Sequence, residues 1–250
     1  MVLKIDNLSL RYEPFPIGVA RPIMDAQTYR GFLDTYPPIE LFEFIPKVGN
    51  KYCLSEKFNP ANYHEWIESH ANWREFHREI KSKDFIYGVF DLLRQREIDL
   101  GFKRMSKAKR LHKTIKKLFM GRSSKGEGRL SCRFDFSMLP ADGGYVSPHT
   151  DSTEKIVTIV ISMVDEGEWD PALGGGTEVN RHLKPERSFS RLNGRAGFDE
   201  METLDVFPFE PNQCVLFVKT FNSWHCVRPM EATGSKAMRR SLTLNIELRH

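Results

Sequence analysis

The run Ile156-Val157-Thr158-Ile159-Val160-Ile161 is strongly β-branched, and no other feature restricts the fold as much. Two heavy atoms on Cβ stiffen χ1 and suit a side chain to a pleated sheet better than to a helix. The run is one of a series. From Arg129 onward, β-type segments alternate with turns: Leu130 to Leu139, Lys155 to Val164, Thr203 to Val206, Gln213 to Val218 and Ser241 to Leu248. The N-terminal half has a different texture. Leu8 to Tyr12 reads as a short strand, followed by a turn punctuated by Pro14, Pro16 and Pro22. Asp25 is a suitable N-cap for a helix striped by Tyr29, Phe32 and Leu33, which Pro37-Pro38 ends. Between about Pro60 and Leu100 the apolar residues, among them Trp66, Trp73, Phe76, Ile80 and Phe90, are spaced for two or three amphipathic helices. Regularly spaced strands after a helical half predict a mainly β protein with helices: a sandwich or barrel-like core buttressed on one side.

At 250 residues the chain is long enough for one substantial core without disulfide or metal staples. We expect a single domain, with residues 1–128 supplying helical support and a basic segment and residues 129–250 the β core. Hydrophobic residues at 40% and charged residues at 28% place it among globular proteins rather than disordered ones. No apolar run approaches the roughly 20 residues that span a bilayer, and Met1 to Asp6 lacks the basic and apolar regions of a secretory signal. A cytoplasmic location and no membrane partner are the expectation. Cys53, Cys132, Cys214 and Cys226 show no CxxC spacing, which argues against a zinc knuckle or a disulfide framework.

The net charge of +4 conceals an asymmetry. Residues 103–129 hold eleven Lys and Arg against Glu127 alone, a local +10 on a body of −6. Such a segment is either a solvated face or a site for an anionic partner. Its only aromatics are Phe102, at its edge, and Phe119, which disfavours single-strand nucleic acid recognition. Residues 180–200, with Arg181, Arg187, Arg191 and Arg195, form a second expected loop near the site that could recruit anions.

The chemistry centres on Gly143-Gly144-Tyr145-Val146-Ser147-Pro148-His149-Thr150-Asp151. On an extended segment residues i and i+2 share a side, so His149 and Asp151 can converge on one ion. A distant histidine, His225 being the natural candidate, would complete two imidazoles and one carboxylate, a set that leaves positions open on iron(II). Alone the pair is a weak signal, because eight His and thirteen Asp yield about 0.4 such spacings by chance. His77-Arg78-Glu79 offers the same ligand chemistry in a predicted helix, where i and i+2 diverge.

The order of downstream features raises the case. Gly174-Gly175-Gly176-Thr177-Glu178-Val179, then Pro211 to Phe217, then Ser223-Trp224-His225-Cys226-Val227-Arg228-Pro229, then Arg239-Arg240-Ser241-Leu242-Thr243-Leu244 follow His149 and Asp151. This series resembles the Fe(II)/2-oxoglutarate-dependent oxygenases, prolyl 4-hydroxylase-like branch, over roughly residues 130–248. The resemblance implies a double-stranded β-helix (jelly-roll) core. It implies Fe(II) held by His149, Asp151 and His225, with 2-oxoglutarate and O2 as co-substrates. Arg239 would grip the distal carboxylate of 2-oxoglutarate, for which a planar guanidinium fork is well matched. Ser241 shares its face by strand alternation, and Arg240 faces away. The family's tyrosine before the first metal histidine is absent, Leu139 standing there, and Tyr145 is the candidate replacement.

The implied reaction is oxidative decarboxylation of 2-oxoglutarate coupled to hydroxylation of an unactivated C–H bond. A small polar, sugar-like or phosphorylated substrate is the first expectation, with peptidyl proline or a methylated nucleic-acid base as alternatives. Arg133, Asp135 and Trp224 are candidates to line its pocket, a structural ion pair being the equal alternative for the first two. The rival from another class is a non-catalytic jelly-roll module that binds a glycan or nucleic acid. A metal-binding cupin that does without 2-oxoglutarate is a third reading.

Overall fold

A computed structural model describes residues 2–103 and 129–249, so the basic segment, its two end residues aside, lies outside the described residues. The order of elements is β1 (Ser9–Arg11), β2 (Ile17–Ala20), α1 (Ala26–Asp34), β3 (Glu43–Ile45), β4 (Lys51–Ser55), α2 (Pro60–Ser69), α3 (Ala71–Ile80) and α4 (Lys83–Gln95). There follow β5 (Arg129–Pro140), β6 (Val146–His149), β7 (Lys155–Ser162), β8 (Thr177–His182), β9 (Met201–Phe207), β10 (Cys214–Val218), β11 (His225–Val227) and β12 (Met238–Arg249). An eight-stranded sheet in the order β1-β2-β10-β7-β12-β5-β4-β3 faces a four-stranded sheet in the order β6-β11-β8-β9. All pairings are antiparallel, and the result is the expected jelly roll with N-terminal helices.

The helices form where local signals start them. Asp25 accepts a hydrogen bond from the Thr28 amide at 2.9 Å and Ser82 one from the Phe85 amide at 3.0 Å, each satisfying an otherwise unpaired N-terminal donor. Pro60 opens α2, where its missing N–H costs nothing. Their apolar stripes bury against the outer face of the large sheet. Trp73 and Phe76 pack edge-on to Phe136 and Phe134 of β5, Trp73 to Phe136 at 4.8 Å between ring centres, and Phe32 packs on Trp73 at 4.5 Å. Each such ring stabilises the fold by about 3–5 kcal/mol against truncation to alanine. Among the described residues no helix is long and apolar enough to cross a membrane.

Alternation gives the large sheet two unlike faces. Cys132, Phe134, Phe136 and Met138 of β5, with Leu242, Leu244 and Ile246 of β12, belong to the core beneath the helices. The intervening residues point into the jelly roll: Asp135 and Ser137 on β5, and Arg239, Ser241, Asn245 and Glu247 on β12, all buried. Buried polar groups are costly unless something pairs with them. Part of this polar wall, at Ser137, Arg239 and Ser241, lines a cavity.

Candidate active site

His149 closes β6 and His225 opens β11, and the two stand directly opposite each other in the antiparallel pairing. Their ring centres are 4.3 Å apart. Asp151 follows beyond the end of β6 with φ of 67°, a left-handed conformation that costs a non-glycine residue roughly 1–2 kcal/mol. The carboxylate thus reaches the imidazoles through a left-handed turn, not through the simple strand alternation expected from i and i+2 spacing. Its oxygens lie 3.3 Å from His149 Nε2 and 3.9 Å from His225 Nε2. One ligand atom from each of the three residues falls within 4.8 Å of the others.

Protonation is set by the surroundings. His149 Nδ1 lies 2.9 Å from the Ser147 carbonyl and His225 Nδ1 2.9 Å from the Ser223 carbonyl. A carbonyl only accepts, so each Nδ1 carries a proton, which leaves each Nε2 as the atom that faces Asp151. Burial pushes His225 down to about 3, with His149 adding to the effect, so it is neutral at physiological pH. Burial works to raise Asp151, but the Lys155 ammonium and the contacts with the two histidines outweigh it and hold the carboxyl well below its ordinary range. Lys155 Nζ donates to its Oδ1 at 2.6 Å and Thr158 Oγ1 to its Oδ2 at 3.1 Å. Two imidazoles and an ionised carboxylate, oriented by second partners, form a donor set that fits a first-row divalent ion such as Fe(II).

The same cavity contains Arg239 and Ser241. Arg239 is buried, donates from Nε to the Gly175 carbonyl at 2.5 Å and lies 4.1 Å over the Phe209 ring. Burial pushes the guanidinium down to about 9, and Tyr36 only partly offsets it. Among the described residues no carboxylate pairs with it. A buried cation without an anion is strongly unfavourable, and a dicarboxylate co-substrate is the kind of ligand that relieves it. Gly175 makes this placement feasible: at φ of 75°, a Cβ there would meet Trp169 at 3.0 Å and Arg239 and Met230 at 3.1 Å. Arg240 points the other way, to Glu168 at 2.5 Å.

Other expected positions fall elsewhere. Tyr145 does not line this cavity; its ring packs edge-on to Phe198 at 5.9 Å, and its amide is tied to the Gly49 carbonyl. Lys51 does line the cavity, and sequence reasoning missed it. Register explains why it can: Tyr52 is opposite Met138 and Met138 opposite Arg240, so Lys51, Leu139 and Arg239 share the inward face one residue along. Arg133 and Asp135 form an ion pair at 3.2 Å, with Glu247 completing the group at 3.0 Å, and neither lines the cavity. Trp224 donates to the Ser188 carbonyl at 2.9 Å. It anchors the 183–197 loop, which lies beside β6 through Thr150 N to Gly194 O at 3.1 Å and Ala196 N to Pro148 O at 3.1 Å.

No family model matches the chain, and no curated protein matches it in sequence. Among solved structures it is similar to the non-haem α-ketoglutarate-dependent epimerase SnoN from nogalamycin biosynthesis. That match has 12% identity and a TM-score of 0.51, covering 96% of this chain and 83% of the epimerase. Looser matches are a Pseudomonas putida prolyl-4-hydroxylase, at 14% identity, TM-score 0.44 and coverage of 93% and 92%, and a prolyl hydroxylase from Trichoplax adhaerens, at 11%, 0.46 and coverage of 92% and 83%. The chain has the fold of the non-haem iron, 2-oxoglutarate-dependent oxygenases. At such identities a shared fold does not by itself assign chemistry, so the activity must be argued from the site.

Proposed function

We propose that the protein is an Fe(II)- and 2-oxoglutarate-dependent dioxygenase that hydroxylates an unactivated C–H bond of a small polar substrate, sugar-like or phosphorylated molecules included. One observation carries the reading. A His149, Asp151, His225 donor set shares its cavity with a buried guanidinium that no carboxylate pairs with among the described residues. A glycan-binding module needs neither feature, and a cupin without 2-oxoglutarate has no use for the second.

His149 and His225 would hold the metal through Nε2 and Asp151 through a carboxylate oxygen. The bound metal and co-substrate supply oxygen activation coupled to decarboxylation, yielding succinate and CO2 with the hydroxylated product. The chain's own part is orientation and exclusion of water. Ser147 and Ser223 fix the imidazole tautomers, Thr158 and Lys155 fix the carboxylate, and Arg239 supplies the charge for the distal carboxylate, with Lys51 a second cation on the same wall. A carboxylate at position 151 favours hydroxylation over halogenation, since halogenating relatives have a small residue there.

Anaerobic addition of Fe(II) and 2-oxoglutarate tests the reading. The expected result is the weak visible metal-to-ligand charge-transfer band of a chelated keto acid. Absence of the band at saturating metal and co-substrate would return the protein to the binding-module or cupin reading.

A further inference from the structure

Lys155 lines the triad cavity and also a neighbouring one, whose other walls are Thr153, Arg191, Lys219, Thr220 and Phe221. Sequence distance conceals this cluster, which the sheet assembles. Lys155 begins β7, and Lys219 follows directly on β10, its amide donating to the Ile156 carbonyl at 2.9 Å. Two lysines thus stand at adjacent strand ends, where like charges repel. Arg191 is brought to them by the loop whose neighbouring residues bond Thr150: Thr150 Oγ1 donates to the Leu192 carbonyl at 3.2 Å.

The charges in this cluster are poorly balanced. Among the described residues its one ion pair joins Lys155 to Asp151, and Asp151 is the carboxylate assigned to the metal. Among the described residues Lys219 Nζ is met by the Thr220 carbonyl alone, at 2.8 Å. By contrast, two other arginines of the neighbouring segment are neutralised, Arg181 by Glu202 at 2.7 Å and Arg187 by Glu200 at 3.0 Å. A divalent ion at the triad would add further positive charge. An arrangement of this sort is stabilised by an anion.

Register also separates this pole from the one that serves the co-substrate. Lys155 is opposite Glu247 on β12, eight residues along the strand from Arg239, or roughly 26 Å of backbone. Asp151 is bonded to Thr158, which is opposite Asn245, between those two ends. The triad therefore lies between two cationic poles.

We propose that Lys155, Lys219 and Arg191 form the subsite for the anionic group of the primary substrate, a small molecule bearing a phosphate ester or a carboxylate. This rests on the oxygenase reading above. The anion docks at the cavity mouth, Phe221 offers an apolar wall beside it, and the rest of the molecule extends past Lys155 toward the triad. Lysines serve here as point charges and Arg191 as a fork able to take two oxygens.

The test uses the whole protein, anaerobic, with Fe(II) and saturating 2-oxoglutarate, so that the Arg239 pole is already filled. Methyl phosphate and acetate are titrated calorimetrically at low ionic strength into the wild type and into the double variant Arg191→Gln, Lys219→Gln. Lys155 is left in place because it also holds Asp151. Expected is saturable binding of at least one probe to the wild type, weakened at least tenfold in the double variant and in 1 M salt. Tighter binding of methyl phosphate assigns a phosphate ester, and the reverse order a carboxylate. A wild type that shows the charge-transfer band but binds neither probe, or a folded double variant that binds both as well as the wild type does, overturns the subsite alone. A wild type without the band overturns the oxygenase reading and this assignment with it.

Discussion

Replacing Arg239 by methionine should separate stability from function. The methionine keeps most of the length and apolar bulk of the arginine stem and removes the charge. Burial lowers Arg239 from its ordinary 12.5 to about 9, which corresponds to roughly 5 kcal/mol of unfavourable charging in the unliganded protein. Against this stand the hydrogen bond to Gly175 and the stacking on Phe209, about 1 kcal/mol each. The variant without metal and co-substrate should therefore be no less stable than wild type in urea, with a gain of up to about 3 kcal/mol. Binding should move the opposite way. Truncating one partner of a buried hydrogen-bonded charge pair costs 2–5 kcal/mol, so about 3 kcal/mol predicts a roughly hundredfold rise in the 2-oxoglutarate concentration at half-maximal charge-transfer absorbance. Iron should still bind. A variant that is destabilised by several kcal/mol yet titrates with 2-oxoglutarate like the wild type would refute the reasoning, because Arg239 would then be a structural cation.

Three further outcomes follow from the geometry. Asp151→Ala should abolish turnover and the charge-transfer band by removing a metal ligand; normal turnover would sink the triad. Gly175→Ala should cost about 1–2 kcal/mol at a left-handed position and raise the 2-oxoglutarate requirement about tenfold, because the new methyl meets Arg239 at 3.1 Å; a change in stability alone would show that Arg239 tolerates the shift. Burial works to raise Glu178, but Thr203, Asn180 and Arg228 outweigh it and hold it below its ordinary range. A lowered carboxyl stabilises the fold above its unfolded pKa near 4.5 and loses that contribution as pH falls through its folded value. Glu178→Gln should therefore cost about 1–2 kcal/mol at pH 7 and progressively less below pH 4.5; a pH-independent difference in urea midpoints would contradict this.

Much of the scaffold was legible because its signals are local. The Asp25 cap and the Tyr29, Phe32, Leu33 stripe predicted the start and the buried face of α1, since capping and 3.6-residue periodicity involve near neighbours, while the helix ends at Asp34, short of Pro37. The β-branched run became β7, and the segment from Pro60 to Leu100 became three helices. Short strands were harder to see. β3, β4 and β11 have three to five residues, too few for alternation to stand out from chance, and missing β4 meant missing Lys51.

The sequence by itself determined which residues could chelate a metal, but not the short strands β6 and β11 that carry the two histidines. Residue chemistry and the order of motifs are written along the chain. Only the tertiary structure decided which charges are left without partners. Arg133, Asp135 and Glu247 neutralise one another, Arg240 is taken by Glu168, and Tyr145 turns to Phe198. Arg239, Lys51, Lys219 and Arg191 have no carboxylate pairing among the described residues. Whether a charge is paired depends on groups brought together across a hundred residues or more, as Arg133 meets Glu247, by strand register and burial. Those are long-range properties that composition and periodicity do not encode.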